Sequence, residues 1–120
     1  MHNRFHNCTN PYQGKAKKVL CVCSAGLLRS PTAAIVLNKE HGYNTRSCGM
    51  DVSHALIPFD DVLAHWADEI VVMEKYQLAA IPKEYLDKAM CLDIRDSYGY
   101  MDPVLQQEIK EKYASASRNP

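Results

Sequence analysis

A cysteine and an arginine separated by five residues, Cys23-Ser24-Ala25-Gly26-Leu27-Leu28-Arg29, stand directly before Ser30-Pro31 in this chain. Those residue types at that spacing suit phosphate chemistry. A short loop between a strand and a helix can turn successive backbone N–H groups inward, making an anion cradle aided by the helix dipole. A guanidinium at the far end of the loop can grip two phosphate oxygens as a planar fork. Positive surroundings of this kind favour thiolate, the nucleophilic form of a cysteine. Gly26 permits the positive φ that such a loop needs. Ser30 can donate its hydroxyl to the sulfur. On this reading Cys23 is the nucleophile, while Ser24, Ala25, Gly26, Leu27, Leu28, Arg29 and Ser30 bind the phosphoryl group.

Each residue also has a plain structural reading. Cys23 could be a small buried hydrophobe, Arg29 a surface charge and Ser30 a helix cap. A Cys-x5-Arg spacing arises often by chance, so its context has to decide. Lys18-Val19-Leu20-Cys21-Val22-Cys23 reads as a buried strand. Ser30-Pro31 then opens a helix to His41, with Ser30 as cap, Pro31 in the first turn, Gly42 as terminator and Ala33, Ala34, Val36 and Leu37 inward. The loop therefore lies between a strand and a capped helix, which favours the chemical reading.

The rest of the chain alternates in the same way. Tyr43 to Cys48 reads as a second strand closed by Gly49. Phe59 to Ala67 reads as a helix with Phe59, Val62, Leu63 and Trp66 on one face. Glu69 to Met73 is a third strand, and Tyr76 to Ile81 a short helix ended by Pro82. Ala89 to Ile94 is a fourth strand. Pro103 starts a last helix with Val104, Leu105, Ile109 and Tyr113 inward. This alternation predicts an α/β fold, a doubly wound four-stranded parallel sheet with helices on both faces. Ligands bind such sheets at the carboxyl ends of the strands, where the turn after Cys23 lies. Residues 1–16 read as a flexible arm and residues 17–120 as one domain.

Composition narrows the function. At 47% hydrophobic and 23% charged, the 120 residues match an ordinary globular domain. Fourteen basic and fourteen acidic residues cancel, so no global field draws the chain to nucleic acid or an anionic membrane. No apolar run approaches the roughly 20 residues of a membrane span, and the first sixteen residues lack a secretory apolar core. Five cysteines (Cys8, Cys21, Cys23, Cys48 and Cys91) form no CxxC pair, which suits reduced thiols better than a disulfide framework or a zinc site. The expectation is a soluble cytoplasmic monomer without metal or other cofactor.

Val22-Cys23 through Arg29-Ser30-Pro31-Thr32-Ala33 resembles the phosphate-binding loop of the low-molecular-weight protein tyrosine phosphatases. The likeness runs over about residues 17–113. Ser47-Cys48-Gly49 resembles that family's Ser-Ala-Gly after its second strand, and Trp66 to Glu74 its third-strand segment. Ile94-Arg95-Asp96-Ser97-Tyr98 resembles the Asp-Pro-Tyr loop that supplies the general acid. The resemblance implies hydrolysis of a phosphorylated protein or a small phosphomonoester through a phosphocysteine. Cys23 would attack phosphorus, Arg29 and the loop amides would hold the oxygens, Asp96 would act as acid and then base, and Tyr98 would wall the pocket.

Departures and rivals remain visible. Ala25 and Gly26 replace the usual glycine and asparagine, and Leu28 replaces a second loop cysteine, which removes that form of redox protection. Ser97 stands where proline is usual, leaving Asp93, as strand-end structure, and Asp102, as a helix cap, as rivals to Asp96. Arsenate reductases of similar fold need two further downstream cysteines, and only Cys91 lies there. The Cys-Ser-Ala-Gly start also resembles the phosphocarrier B components of sugar phosphotransferase systems, but a carrier has no need of Arg29. A non-catalytic phosphate-binding module is the third alternative.

Overall fold

Val19, Leu20, Cys21 and Val22 are wholly buried, as befits a central strand covered on both faces. They belong to β2 (Lys18–Cys23) in a computed structural model that describes residues 7, 8, 16–24, 28–51, 53, 55–95 and 97–117. The other strands are β1 (Asn7–Cys8), β3 (Asn44–Gly49), β4 (Glu69–Val72) and β5 (Ala89–Cys91), in the spatial order β1-β3-β2-β4-β5. β3, β2, β4 and β5 are mutually parallel, which is the expected four-stranded sheet. The fifth strand lies within the expected arm. β1 pairs antiparallel with β3, Asn7 opposite Arg46 and Cys8 opposite Thr45, using backbone groups on the outer edge of β3.

Alternation along β2 divides the core between two faces. Val19, Cys21 and Cys23 pack with Ala33, Ala34, Val36 and Leu37 of α1 (Arg29–His41) and with Leu105, Ile109 and Tyr113 of α4 (Pro103–Ser117). Leu20 and Val22 pack with Ile70, Val72, Ile81, Tyr85 and Ala64, the last from α2 (Asp61–Trp66). Truncating a buried leucine such as Leu20 to alanine in a core of this kind costs about 2–5 kcal/mol.

Helix ends explain where the sequence reading needs correction. α1 ends as expected, with Gly42 at φ 71° and its N–H donating to Asn38 O. It starts two residues early, however, at Arg29, and Ser30 lies inside it rather than capping it. α2 begins at Asp61, with Asp60 Oδ1 accepting from Leu63 N. Phe59 therefore precedes the helix, the expected one-turn spacing to Val62 fails, and Val62 is 73% exposed. In α4 the inward stripe is Leu105, Ile109 and Tyr113; Val104, one residue out of phase, is exposed. Beyond α3 (Lys75–Ala80) a 3₁₀ helix at Lys83–Lys88, absent from the sequence reading, brings Lys88 Nζ to the carbonyls of Ala64 and Ala67, both at 2.6 Å. These are terminal carbonyls of α2, which a lysine can satisfy.

Candidate active site

Neighbouring strands hold the end of β2 from both sides. Cys23 O accepts from Met50 N at 2.8 Å, and Ser24 O accepts from Asp51 N at 2.8 Å. On the other flank Met73 N donates to Val22 O at 3.1 Å. The Cys23 side chain is buried, its Sγ 3.1 Å from Ser30 Oγ, and Ser30 Oγ lies 3.3 Å from Cys48 O. Proton counting gives this chain a direction. With Cys23 as thiol, S–H donates to Ser30 and Ser30 donates to Cys48 O. With Cys23 as thiolate, the single proton of Ser30 is available to turn to the sulfur.

Arg29, the first residue of α1, is 2% exposed. Its Nη1 donates to Ile94 O at 2.9 Å and lies 2.9 Å from Glu74 Oε2. A buried guanidinium without such partners would be strongly destabilising. Here both contacts fall on one nitrogen and fix the plane of the group. One residue thus ties the start of α1 to the segments leaving β4 and β5. Cys48 lies opposite Val22 on β3 and packs on the other face of the sheet from Cys23. Burial pushes its thiol well above the ordinary range, and the nearby Cys23 and Asp60 act in the same direction. That direction disfavours the thiolate on which nucleophilic reactivity depends.

No protein-family model and no curated protein sequence matches the chain. Its architecture matches known structures. The tyrosine phosphatase Wzb from Escherichia coli K30, in complex with phosphate, superposes with a TM-score of 0.67 at 19% identity over 88% of this chain and 99% of that one. Wzb from Vibrio vulnificus, in complex with benzylphosphonate, gives 0.69 at 22% identity over 87% and 99%. The fold is that of the low-molecular-weight phosphatases. The YwlE arginine phosphatase from Geobacillus stearothermophilus shares it, with a TM-score of 0.63 at 20% identity over 85% of this chain and 89% of that one.

Within this fold, Cys23 and Ser30 meet at the strand–helix junction, with Arg29 preceding Ser30 at the start of α1. Ala25, Gly26, Leu27 and Asp96 lie outside the described residues. The rivals of Asp96 are placed. Asp102 accepts from Val104 N at 2.8 Å and caps α4. Asp93 ends the run after β5 at φ 59°, its carbonyl accepting from Lys112 Nζ at 2.6 Å. The Tyr98 ring packs against the core face of α1 and α4, and its hydroxyl donates to Glu108 Oε1 at 2.9 Å. That bond raises the Tyr98 pKa, while Lys112 holds Glu108 below its usual range.

Three residues of the site escaped the sequence reading: Glu74, Tyr76 and Gln77. Ser24 Oγ meets the Tyr76 hydroxyl, and Gln77 Nε2 lies 3.3 Å from each. The available signal was positional. Glu74 follows the third parallel strand on the same carboxyl edge as Cys23, where ligand-binding groups of such sheets gather.

Proposed function

We propose that the chain is a cysteine-dependent phosphomonoester hydrolase with protein tyrosine phosphatase activity. The reading is carried by one observation: Cys23 Sγ lies 3.1 Å from the Ser30 hydroxyl at the end of the central strand, with the buried Arg29 beside it in sequence at the helix start. Cys23 thiolate attacks phosphorus in line with the leaving oxygen, forming an S–P bond as the P–O bond breaks. Arg29 and the loop amides from Ser24 to Ser30 balance charge on the equatorial oxygens. Asp96 protonates the departing oxygen and, as carboxylate, then takes a proton from the water that attacks the phosphocysteine. Inorganic phosphate leaves and the thiolate returns, accepting the Ser30 hydroxyl proton as a hydrogen bond. The substrates are phosphotyrosine proteins or small phosphomonoesters, handled in the cytoplasm by a monomer without cofactor, with Tyr98 as a pocket wall.

The test is hydrolysis of p-nitrophenyl phosphate by the whole chain. Multiple turnover that vanadate inhibits and a metal chelator leaves unchanged is the expected result. Stoichiometric phosphorylation without turnover would instead indicate a carrier, and binding without either would indicate an inert phosphate-binding module.

A further inference from the structure

Gln77 is wholly buried and uses its full hydrogen-bonding capacity. Its Oε1 accepts from Met73 N and Glu74 N, both at 2.9 Å, which fixes which end of the amide is oxygen. Its Nε2 then has two protons for two acceptors, Ser24 Oγ and the Tyr76 hydroxyl. Tyr76 is thus held by its polar tip, against the residue that follows the nucleophile. Its body is not covered: Tyr76 is 53% exposed. A tyrosine that contributes to folding commonly buries its ring and wets its hydroxyl. Tyr76 does the reverse, since its hydroxyl is anchored by Ser24 and Gln77 while much of its ring remains in water. Packing does not account for that arrangement. A ring tethered to Ser24, next in sequence to the nucleophile, and left largely in water does.

Resting on the phosphatase reading above, we propose that Tyr76 is a specificity-determining wall of the Cys23 site that stacks on the aryl group of a phosphate ester. The Ser24–Gln77 anchor fixes the ring before substrate arrives, so stacking costs little side-chain ordering. An aryl phosphate gains this contact, whereas an alkyl phosphate or free phosphate does not. The contact is made equally in the ground and transition states, so it acts on KM and leaves kcat alone.

Calorimetric titration of wild type, Tyr76→Phe and Tyr76→Ala with phenylphosphonate and with inorganic phosphate tests the wall without requiring turnover. Tyr76→Ala should weaken phenylphosphonate about three- to tenfold, the size of an aromatic pair, and leave phosphate within about twofold. Tyr76→Phe, which keeps the ring, should retain most of the phenylphosphonate affinity. Steady-state assays of Tyr76→Ala should show the same factor in KM for p-nitrophenyl phosphate, with kcat unchanged. Equal weakening of both ligands would overturn the proposal in favour of a structural role through Ser24, and unchanged binding of both would remove Tyr76 from the site. Wild type that binds both ligands without hydrolysing ester would sink the phosphatase reading and leave the wall standing. Wild type that binds neither would sink both.

Discussion

The two sides of the candidate site are built in different ways. The nucleophile side is regular structure: Cys23 closes the central strand, and main-chain bonds from residues 50, 51 and 73 hold the strand end. The opposite side, residues 92–95 and 97–102, is irregular chain in which Asp93 and Met101 both take φ 59°. Side chains fasten it from outside: Arg29 to Ile94 O, Lys112 to Asp93 O, Thr32 Oγ1 to Met101 N, and Glu108 to the Tyr98 hydroxyl. Arg29 belongs to both sides, since it opens α1 next to Ser30 and donates to Ile94 O. Damage on the nucleophile side should therefore act on every substrate, and damage on the loop side should depend on how much help the leaving group needs.

Cys23→Ser separates the two sides most sharply. Turnover of all phosphomonoesters should vanish while phosphate still binds, because a serine hydroxyl is too weak an acid to supply the anionic nucleophile. Residual wild-type-like hydrolysis in a clean preparation would end the assignment.

Asp96→Asn tests the other side. It should slow phosphotyrosine hydrolysis by about 10²–10⁴, cost far less for an aryl phosphate with a strongly acidic phenol, and flatten the basic limb of the pH–rate profile. Asp93→Asn and Asp102→Asn are the controls. Leaving-group dependence appearing in Asp102→Asn would move the proton donor along the loop.

Arg29→Lys bears on the residue the two sides share. Lysine lacks the planar fork, so turnover should fall at least about a hundredfold for good and poor leaving groups alike. A nearly active lysine variant would favour a carrier.

The smallest effect is expected at Asp102→Ala. Loss of the α4 cap should lower stability by about 1 kcal/mol in chemical denaturation, with no change in leaving-group dependence.

The same division explains what the sequence disclosed. Cys23, Arg29 and Ser30 were legible because strand, glycine-containing loop and helix start are contiguous, and each signal concerns its immediate neighbours. Gly42 and Asp102 were legible for the same reason. Glu74, Tyr76 and Gln77 were not, because they reach the site only through a parallel crossover that brings β4 beside β2. Val62 misled because Asp60 caps the helix after Phe59, so that Phe59, Leu63 and Trp66 still pack against the core while Val62 faces out. The stretch after the fourth strand left three aspartates open because its sequence carries no periodicity from which to choose among them.

A parallel sheet that is open at both sides carries a hazard unrelated to its chemistry. Each outermost strand offers unpaired amides and carbonyls on which a strand of another molecule can crystallise into a growing ladder. β5, three residues long, offers little such template. β3, six residues long, would offer much more, but Asn7 and Cys8 run antiparallel along part of its free side. By occupying those groups within the same chain, this short pairing shields the longer margin of the sheet from edge-to-edge aggregation.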